Sequence, residues 1–289
     1  MRAKSGLLFG LCLGLAVACG GEGGAGADPE DAAAGNSGDA GTGDAGPDTG
    51  GAEPTPPPEL SWVRLNGRSF TMGSADGLPE ERPEHTVEVA DFEITTTEVT
   101  VAEYTACVKA GACSHAAHFP GCNYKVPGRE KHPINCVDWD QAHAFADWIG
   151  GGARLPTEAE WEFAARSGGR DREFPWGDTP ATCELAVMNE GIPGCGDDHT
   201  APVCSKPAGN TDQGACDLAG NVWEWVEDWY HDDYAGAPRD GSAWLDPPSS
   251  HRALRGGGWA YFAENLRTRH RGVVIAEGRD ANVGFRLAR

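Results

Sequence analysis

Between Gly220 and Tyr230 the chain packs four aromatic rings (Trp223, Trp225, Trp229, Tyr230) and three carboxylates (Glu224, Glu227, Asp228) into eleven residues. Rings of that size bury a large apolar area each, so a run this dense belongs in a core that the rest of the chain must cover. Glu224 stands between Trp223 and Trp225 and is carried inward with them. A carboxylate there is costly unless it is hydrogen-bonded, paired or bound to a metal ion. Read alone, the stretch is a core strand or irregular segment with one hydrogen-bonded acid.

The covering elements are few. Ser61 to Met72 alternates apolar and polar side chains and carries Asn66-Gly67, which reads as one or two strands joined by a hairpin turn. His85–Val89 and Phe92–Val99 read as further strands. Thr100 with Glu103, and Thr157 with Glu160, are capping boxes that open helices toward Lys109 and Arg166. Asp138 caps another, with Trp139, Ala142, Phe145, Ala146 and Ile149 on one face and Gly150-Gly151-Gly152 at its end. Beyond Gly168 no periodicity lasts more than a few residues, and the chain contains 41 Gly and 20 Pro. Long loops of this composition stay ordered only when disulfides, metal ions or buried tryptophans pin them.

Cysteines are the obvious pins. Cys107, Cys113, Cys122, Cys136, Cys183, Cys195, Cys204 and Cys216 form an even set that reads as disulfides in an exported chain. Eight cysteines allow roughly a hundred pairings; joining sequence neighbours gives 107–113, 122–136, 183–195 and 204–216. A zinc cluster from Cys113, His115, His118 and Cys122 is the competing use of that segment. Export itself is read from the basic start and short apolar run of residues 1–18, a signal peptide, followed by Cys19 in a lipobox-like setting that makes it the lipidated residue. Residues 19–59 then form an acidic Gly/Ala/Pro-rich tether unable to bury a core. Residues 60–289 remain for one domain. The formal charge of −21 repels phosphate backbones, which argues against nucleic acid as a partner and makes divalent cations plausible ones.

Seven motifs come in one order: Thr71-Met72-Gly73-Ser74, Glu98-Val99-Thr100, Arg154-Leu155-Pro156-Thr157-Glu158-Ala159-Glu160-Trp161-Glu162, Phe174-Pro175-Trp176-Gly177, Gly220-Asn221-Val222-Trp223-Glu224-Trp225, Arg255-Gly256-Gly257-Gly258-Trp259, and Asn282-Val283-Gly284-Phe285-Arg286. Together they resemble the formylglycine-generating enzyme (sulfatase-modifying factor) family from about Leu60 to Arg289. The resemblance implies an α+β fold of C-type lectin-like architecture, loop-rich, with short antiparallel sheets and few helices. The same superfamily holds iron-dependent sulfoxide synthases and pyoverdine maturation proteins, so membership speaks to fold before function.

Active members of that family oxidise a sulfatase cysteine to formylglycine with copper held by two thiolates, soft ligands suited to Cu(I). Aligning the glycines puts those two positions at Tyr261 and Leu266, and no cysteine follows Cys216. That argues against copper. Glu264 and His270 are the candidates left for an altered metal site, and iron is left open because a usable triad wants two histidines and a carboxylate. The resemblance also implies calcium. One site corresponds to Asp217, the carbonyls of Gly220 and Val222, and Glu224; a second corresponds to Asn189, the carbonyl of Glu190, and Asp197 or Asp198, hard oxygen donors of the kind Ca²⁺ takes. The expectation is an envelope-anchored lipoprotein, at the outer membrane or surface, with a non-catalytic calcium-stabilised module that binds a protein, peptide or glycan. Its alternative is a metal-dependent oxidoreductase.

Overall fold

The computed structural model describes residues 56–289, and the signal peptide, Cys19 and most of the tether lie outside them. The Trp-rich stretch forms the longest strand, β5 (Trp223–Trp229), at the centre of a four-stranded sheet. Its neighbours are β6 (His251–Arg255), β7 (Arg271–Ile275) and β8 (Val283–Phe285), in the order β7-β6-β5-β8. Strand β8 runs parallel to β5, so this sheet is mixed and not purely antiparallel as expected.

Side chains alternate across a strand, which gives the sheet two different faces. On one, Trp223, Trp225, Leu254 and Phe285 pack against Tyr104 and Phe145. Those two rings come from α1 (Val101–Lys109) and α2 (Trp139–Ile149). On the other, Val226 and Ala253 meet Trp161 and Phe163 of α3 (Glu158–Ala165). All three helices start at the expected residues, because Thr100, Asp138 and Thr157 each accept the amide three residues on while that residue's side chain returns the bond.

The Asn66-Gly67 hairpin is corrected. Strands β1 (Trp62–Leu65) and β2 (Ser69–Met72) do not pair with each other; β1 pairs with β4 (Phe92–Thr95), and β2 with β3 (His85–Glu88). Gly67 serves a close crossing instead: a Cβ there would come within 2.1 Å of the Val89 carbonyl oxygen. The four disulfides join Cys107–Cys113, Cys122–Cys136, Cys183–Cys195 and Cys204–Cys216. Cys113 and Cys122 are thereby committed to different bonds, and the zinc cluster falls. No described helix is long and apolar enough to cross a membrane.

Candidate functional site

Glu224 projects to the α3 side of β5 and is fully buried. Arg286, just after β8, grips it with Nε and a terminal nitrogen, each 2.7 Å from a different carboxylate oxygen, and Trp161 Nε1 donates a third bond of 2.7 Å. Arg286 also donates to the carbonyls of Thr95 and Cys216, so one guanidinium ties β4, the Cys204–Cys216 loop and β5 together. The acid is hydrogen-bonded, as the stretch alone suggests.

More charge lies nearby than one arginine neutralises. Asp217 is nearly buried and accepts the Cys204 amide at 2.6 Å; burial pushes its carboxyl up to about 6. Glu98, also buried, accepts from Asn221 at 3.0 Å through one oxygen, while its other oxygen has no partner. Burial first, then the charges of Asp217 and Glu224, raise the Glu98 carboxyl well above its ordinary range. Among the described residues, the loop hydrogen bonds of the main chain leave the Gly220 and Val222 carbonyls unused. Three buried acids face one guanidinium, beside two buried carbonyls without donors. That donor set, all hard oxygen, fits a divalent cation such as calcium. Glu224 Oε1, which accepts only one bond, keeps a lone pair for it.

The second expected set is more open. Asn189 Oδ1 accepts the Gly191 amide at 3.0 Å, Glu190 accepts that of Cys183 at 2.9 Å, and Asp197 and Asp198 are exposed. These residues sit in the loop closed by Cys183–Cys195, whose Asn189 amide bonds the Tyr261 carbonyl at 2.8 Å. The loop therefore braces the segment that carries Tyr261 and Leu266, the two positions at which the resemblance leads one to expect cysteines.

Those positions part company. Tyr261 is 37% exposed and meets Trp223 edge-on, with ring centroids 5.4 Å apart. Leu266 is 0% exposed and sits in a small core with Phe174, Ala186, Met188 and Ala219. Glu264, on the turn at 263–266, is exposed and forms no ion pair among the described residues. His270 faces the same space as Tyr261: its Nε2 is 3.2 Å from Asn265 Nδ2, and its Nδ1 is 3.5 Å from Glu81.

Between them lies a cavity of about 250 Å³ at the β7 end of the sheet. Its floor is Trp223, Leu254, Gly272, Val274 and Val283; Tyr261, Asn265, His270 and Asp280 form the walls. Gly272 is required there, since a Cβ would come within 2.9 Å of the Trp223 ring. The floor is apolar and the walls carry a phenol, an amide, an imidazole and a carboxylate. Such a combination suits holding a ligand, with apolar contact below and orienting polar groups around it. Nowhere among the described residues do three His, Cys, Asp or Glu side chains gather as a metal centre built from side chains alone would need, so the calcium set above depends on its two backbone carbonyls. A larger cavity of about 560 Å³ near Ser74, Glu84 and Arg166 is polar, and its arginines are already committed to Glu162 and Asp171.

Sequence reasoning missed the partners that matter most at this site: Arg286 and Trp161 on Glu224, the orphaned Glu98 oxygen, and Glu81 behind His270. The Phe285-Arg286 and Trp161-Glu162 motifs were visible, but nothing in a linear sequence says that they meet.

Residues 50–289 match the family model described as sulfatase-modifying factor enzyme 1-like domain. The formylglycine-generating enzyme of Streptomyces coelicolor is 34% identical over 285 residues, covering 78% of this chain and 88% of that protein. The serine/threonine-protein kinase Pkn1 of Chlamydia trachomatis is 31% identical and is matched over 81% of this chain but only 39% of its own length. Among solved structures, PvdO from Pseudomonas aeruginosa superposes with a TM-score of 0.70 at 32% identity, covering 79% of this chain and 93% of that one.

Proposed function

The chain belongs to the sulfatase-modifying factor family, and we propose that within it this member is a non-catalytic, calcium-stabilised binding module on an exported, lipid-anchored protein. One observation carries the reading: at the two positions where the family's copper thiolates are expected stand a half-exposed Tyr261 on the cavity wall and a Leu266 wholly inside a core. The remaining cysteines of the domain are all in disulfides, so no thiolate pair is left to supply soft ligation. A site that has turned one ligand position into core packing has kept its shape and given up that chemistry.

Calcium would be held by Asp217, the carbonyls of Gly220 and Val222, and Glu224, with the unpartnered Glu98 oxygen adding negative charge beside them. Its contribution there is charge neutralisation and cross-linking of the Cys204–Cys216 loop to β5, which is structural. The cavity over Trp223 is then the binding site, taking a protein, peptide or glycan group at the envelope.

The competing reading, a metal-dependent oxidoreductase, draws on His270 and Tyr261 sharing that cavity. Elemental analysis after reconstitution with copper, iron and calcium, followed by dialysis, separates the two. Calcium alone near stoichiometry is the expected result. Tightly held copper or iron supporting an oxidation that His270→Ala abolishes would overturn the binding-module reading.

A further inference from the structure

Strand β7 is an edge of the four-stranded sheet, and its sequence Arg271-Gly272-Val273-Val274-Ile275 carries none of the usual protection. Natural edge strands are blunted by lysine, proline, a bulge or a covering element, because their free backbone groups invite another strand. Here Val273 and Ile275 are 47% and 46% exposed. The register tells which backbone groups are free. Ala276 donates to the Ser250 carbonyl, and antiparallel bonding alternates, so Val274 and Gly272 turn their amides and carbonyls toward β6. Val273 and Ile275 turn theirs outward; the Ile275 carbonyl is taken by Gly278, leaving the Val273 amide and carbonyl and the Ile275 amide.

Charge indicates what would fit. Four arginines of this region are committed to acids, Arg267 to Glu81, Arg269 to Asp171, Arg271 to Glu158 and Arg279 to Asp138, and Arg252, across from Val274, is buried over the rings of Trp139 and Trp229. Its carboxylates are not all so committed. Asp280 in the cavity wall, Glu277 just beyond β7 and Glu264 on the 263–266 turn form no ion pair among the described residues. The free charge around this edge is negative, on a chain whose formal charge is −21.

We propose that the outer edge of β7 is a strand-addition site for a basic, extended polypeptide segment, a reading that rests on the binding-module function and names its partner class. The added strand exchanges two hydrogen bonds with Val273 and accepts a third from the Ile275 amide. Its side chains alternate: those on the cavity side lie beside Gly272 and Val274, near Tyr261 and His270, while those on the other side cover Val273 and Ile275. Main-chain bonds supply the attachment, and the carboxylates favour lysine or arginine in the segment.

Val273→Pro tests this on the intact chain. It removes an amide that points away from β6, a position at which an edge strand tolerates proline. A displayed library of random twelve-residue peptides is selected against the wild-type chain and counter-screened on V273P, with thermal melting as the check on folding. The expected winners are rich in lysine or arginine with apolar residues on alternate positions, and they lose about tenfold or more in affinity for V273P. As a second measurement, synthetic copies N-methylated on one alternating set of amides should bind poorly, and those methylated on the other set should bind normally; this arm stands even if V273P fails to fold. No enrichment, enrichment of acidic peptides, equal binding to V273P, or indifference to N-methylation overturns the proposal. Peptides that bind V273P equally but are lost on Tyr261→Ala would remove the edge site and leave the binding module standing. Oxidation of a bound peptide by the chain would remove the module reading itself.

Discussion

Replacing Glu81 by Gln removes the acid that contacts Arg267 and His270 behind the cavity wall. Glu81 is wholly buried, and Arg267 grips it with two hydrogen bonds of 3.0 and 2.5 Å while His270 lies 3.5 Å away. Burial pushes this carboxyl upward, but the contacts from His270 and Arg267 outweigh it and hold it at about 2, against an ordinary 4.5. The folded protein therefore binds this proton less readily than the unfolded chain. The resulting stabilisation is fully present above pH 4.5 and is lost as pH falls toward 2. At about 1.4 kcal/mol per pH unit the gap corresponds to about 3 kcal/mol. For a domain of this size that is a fall of roughly 6–12 °C in melting temperature.

Urea denaturation of wild type and E81Q at steps between neutral and strongly acid pH measures the effect as a difference, so the other titrating acids largely cancel. The expected difference is about 3 kcal/mol at neutral pH, narrowing steadily below about pH 4.5 as wild type takes up the proton that the amide mimics. A difference that stays constant across the range would refute the ionic account and leave only a packing effect. One below about 1 kcal/mol at neutral pH would show that the buried pair does no more than an exposed one.

Glu224→Gln breaks the two-bond grip on Arg286, leaving it the nearby charges of Glu98 and Asp217 but no ion pair, and should cost roughly 3 kcal/mol; calcium should raise the melting temperature of wild type, EGTA should lower it, and the variant should respond to neither. Unchanged melting together with an unchanged EGTA response would sink the calcium assignment. Leu266→Ala opens a hole in the core around Phe174 and Met188 and should cost about 2–5 kcal/mol by chemical denaturation; a near-neutral result would mean that Leu266 does not plug the site. Removing the Cys122–Cys136 bond, which spans 14 residues, by a double alanine substitution should cost roughly 3 kcal/mol. A loss no larger than that of an exposed substitution would show that the loop is pinned by something else.

The elements legible in the sequence are those whose causes are local. A capping box closes within three residues, so Thr100, Asp138 and Thr157 announce their helices without help from the rest of the fold. The disulfides were legible for the same reason, each joining a cysteine to its neighbour in sequence. The Asn66-Gly67 turn misled because a hairpin signal says nothing about which strand is nearest in space, and here β4 and β3 displace the local partners. Helix α3 is the harder case. Its Glu158, Glu160 and Glu162 suggest a solvated face, yet every residue from Glu158 to Ala165 is buried. What makes that possible is a set of arginines, two of them distant in sequence: Arg271 on Glu158 at 2.7 Å and Arg255 on Glu162, with Arg154, six residues away, on Glu160 at 2.6 Å. Glu158 and Arg271 stand 113 residues apart, and no pattern of spacing predicts such a pair.

These ion pairs also explain how the fold is held independently of the side chains at the cavity. The carboxylates of α3, with Arg166, Arg255 and Arg271, bind one face of the sheet, and Glu224 with Arg286 joins β5 to the end of β8. Apart from the strand that carries Arg271, this frame shares no residue with the cavity, whose floor lies on the opposite face. Removing one partner of a buried pair strands a charge and is strongly destabilising, so the frame resists substitution. Tyr261, on the cavity wall and paired to no charge, strands nothing when it changes, whereas Leu266 is packed into the small core around Phe174 and Met188. The contacts around Glu162, Glu224 and Arg286 therefore hold the fold whatever side chain stands at position 261. Family membership is read from the frame, and what this chain does must be read from the wall.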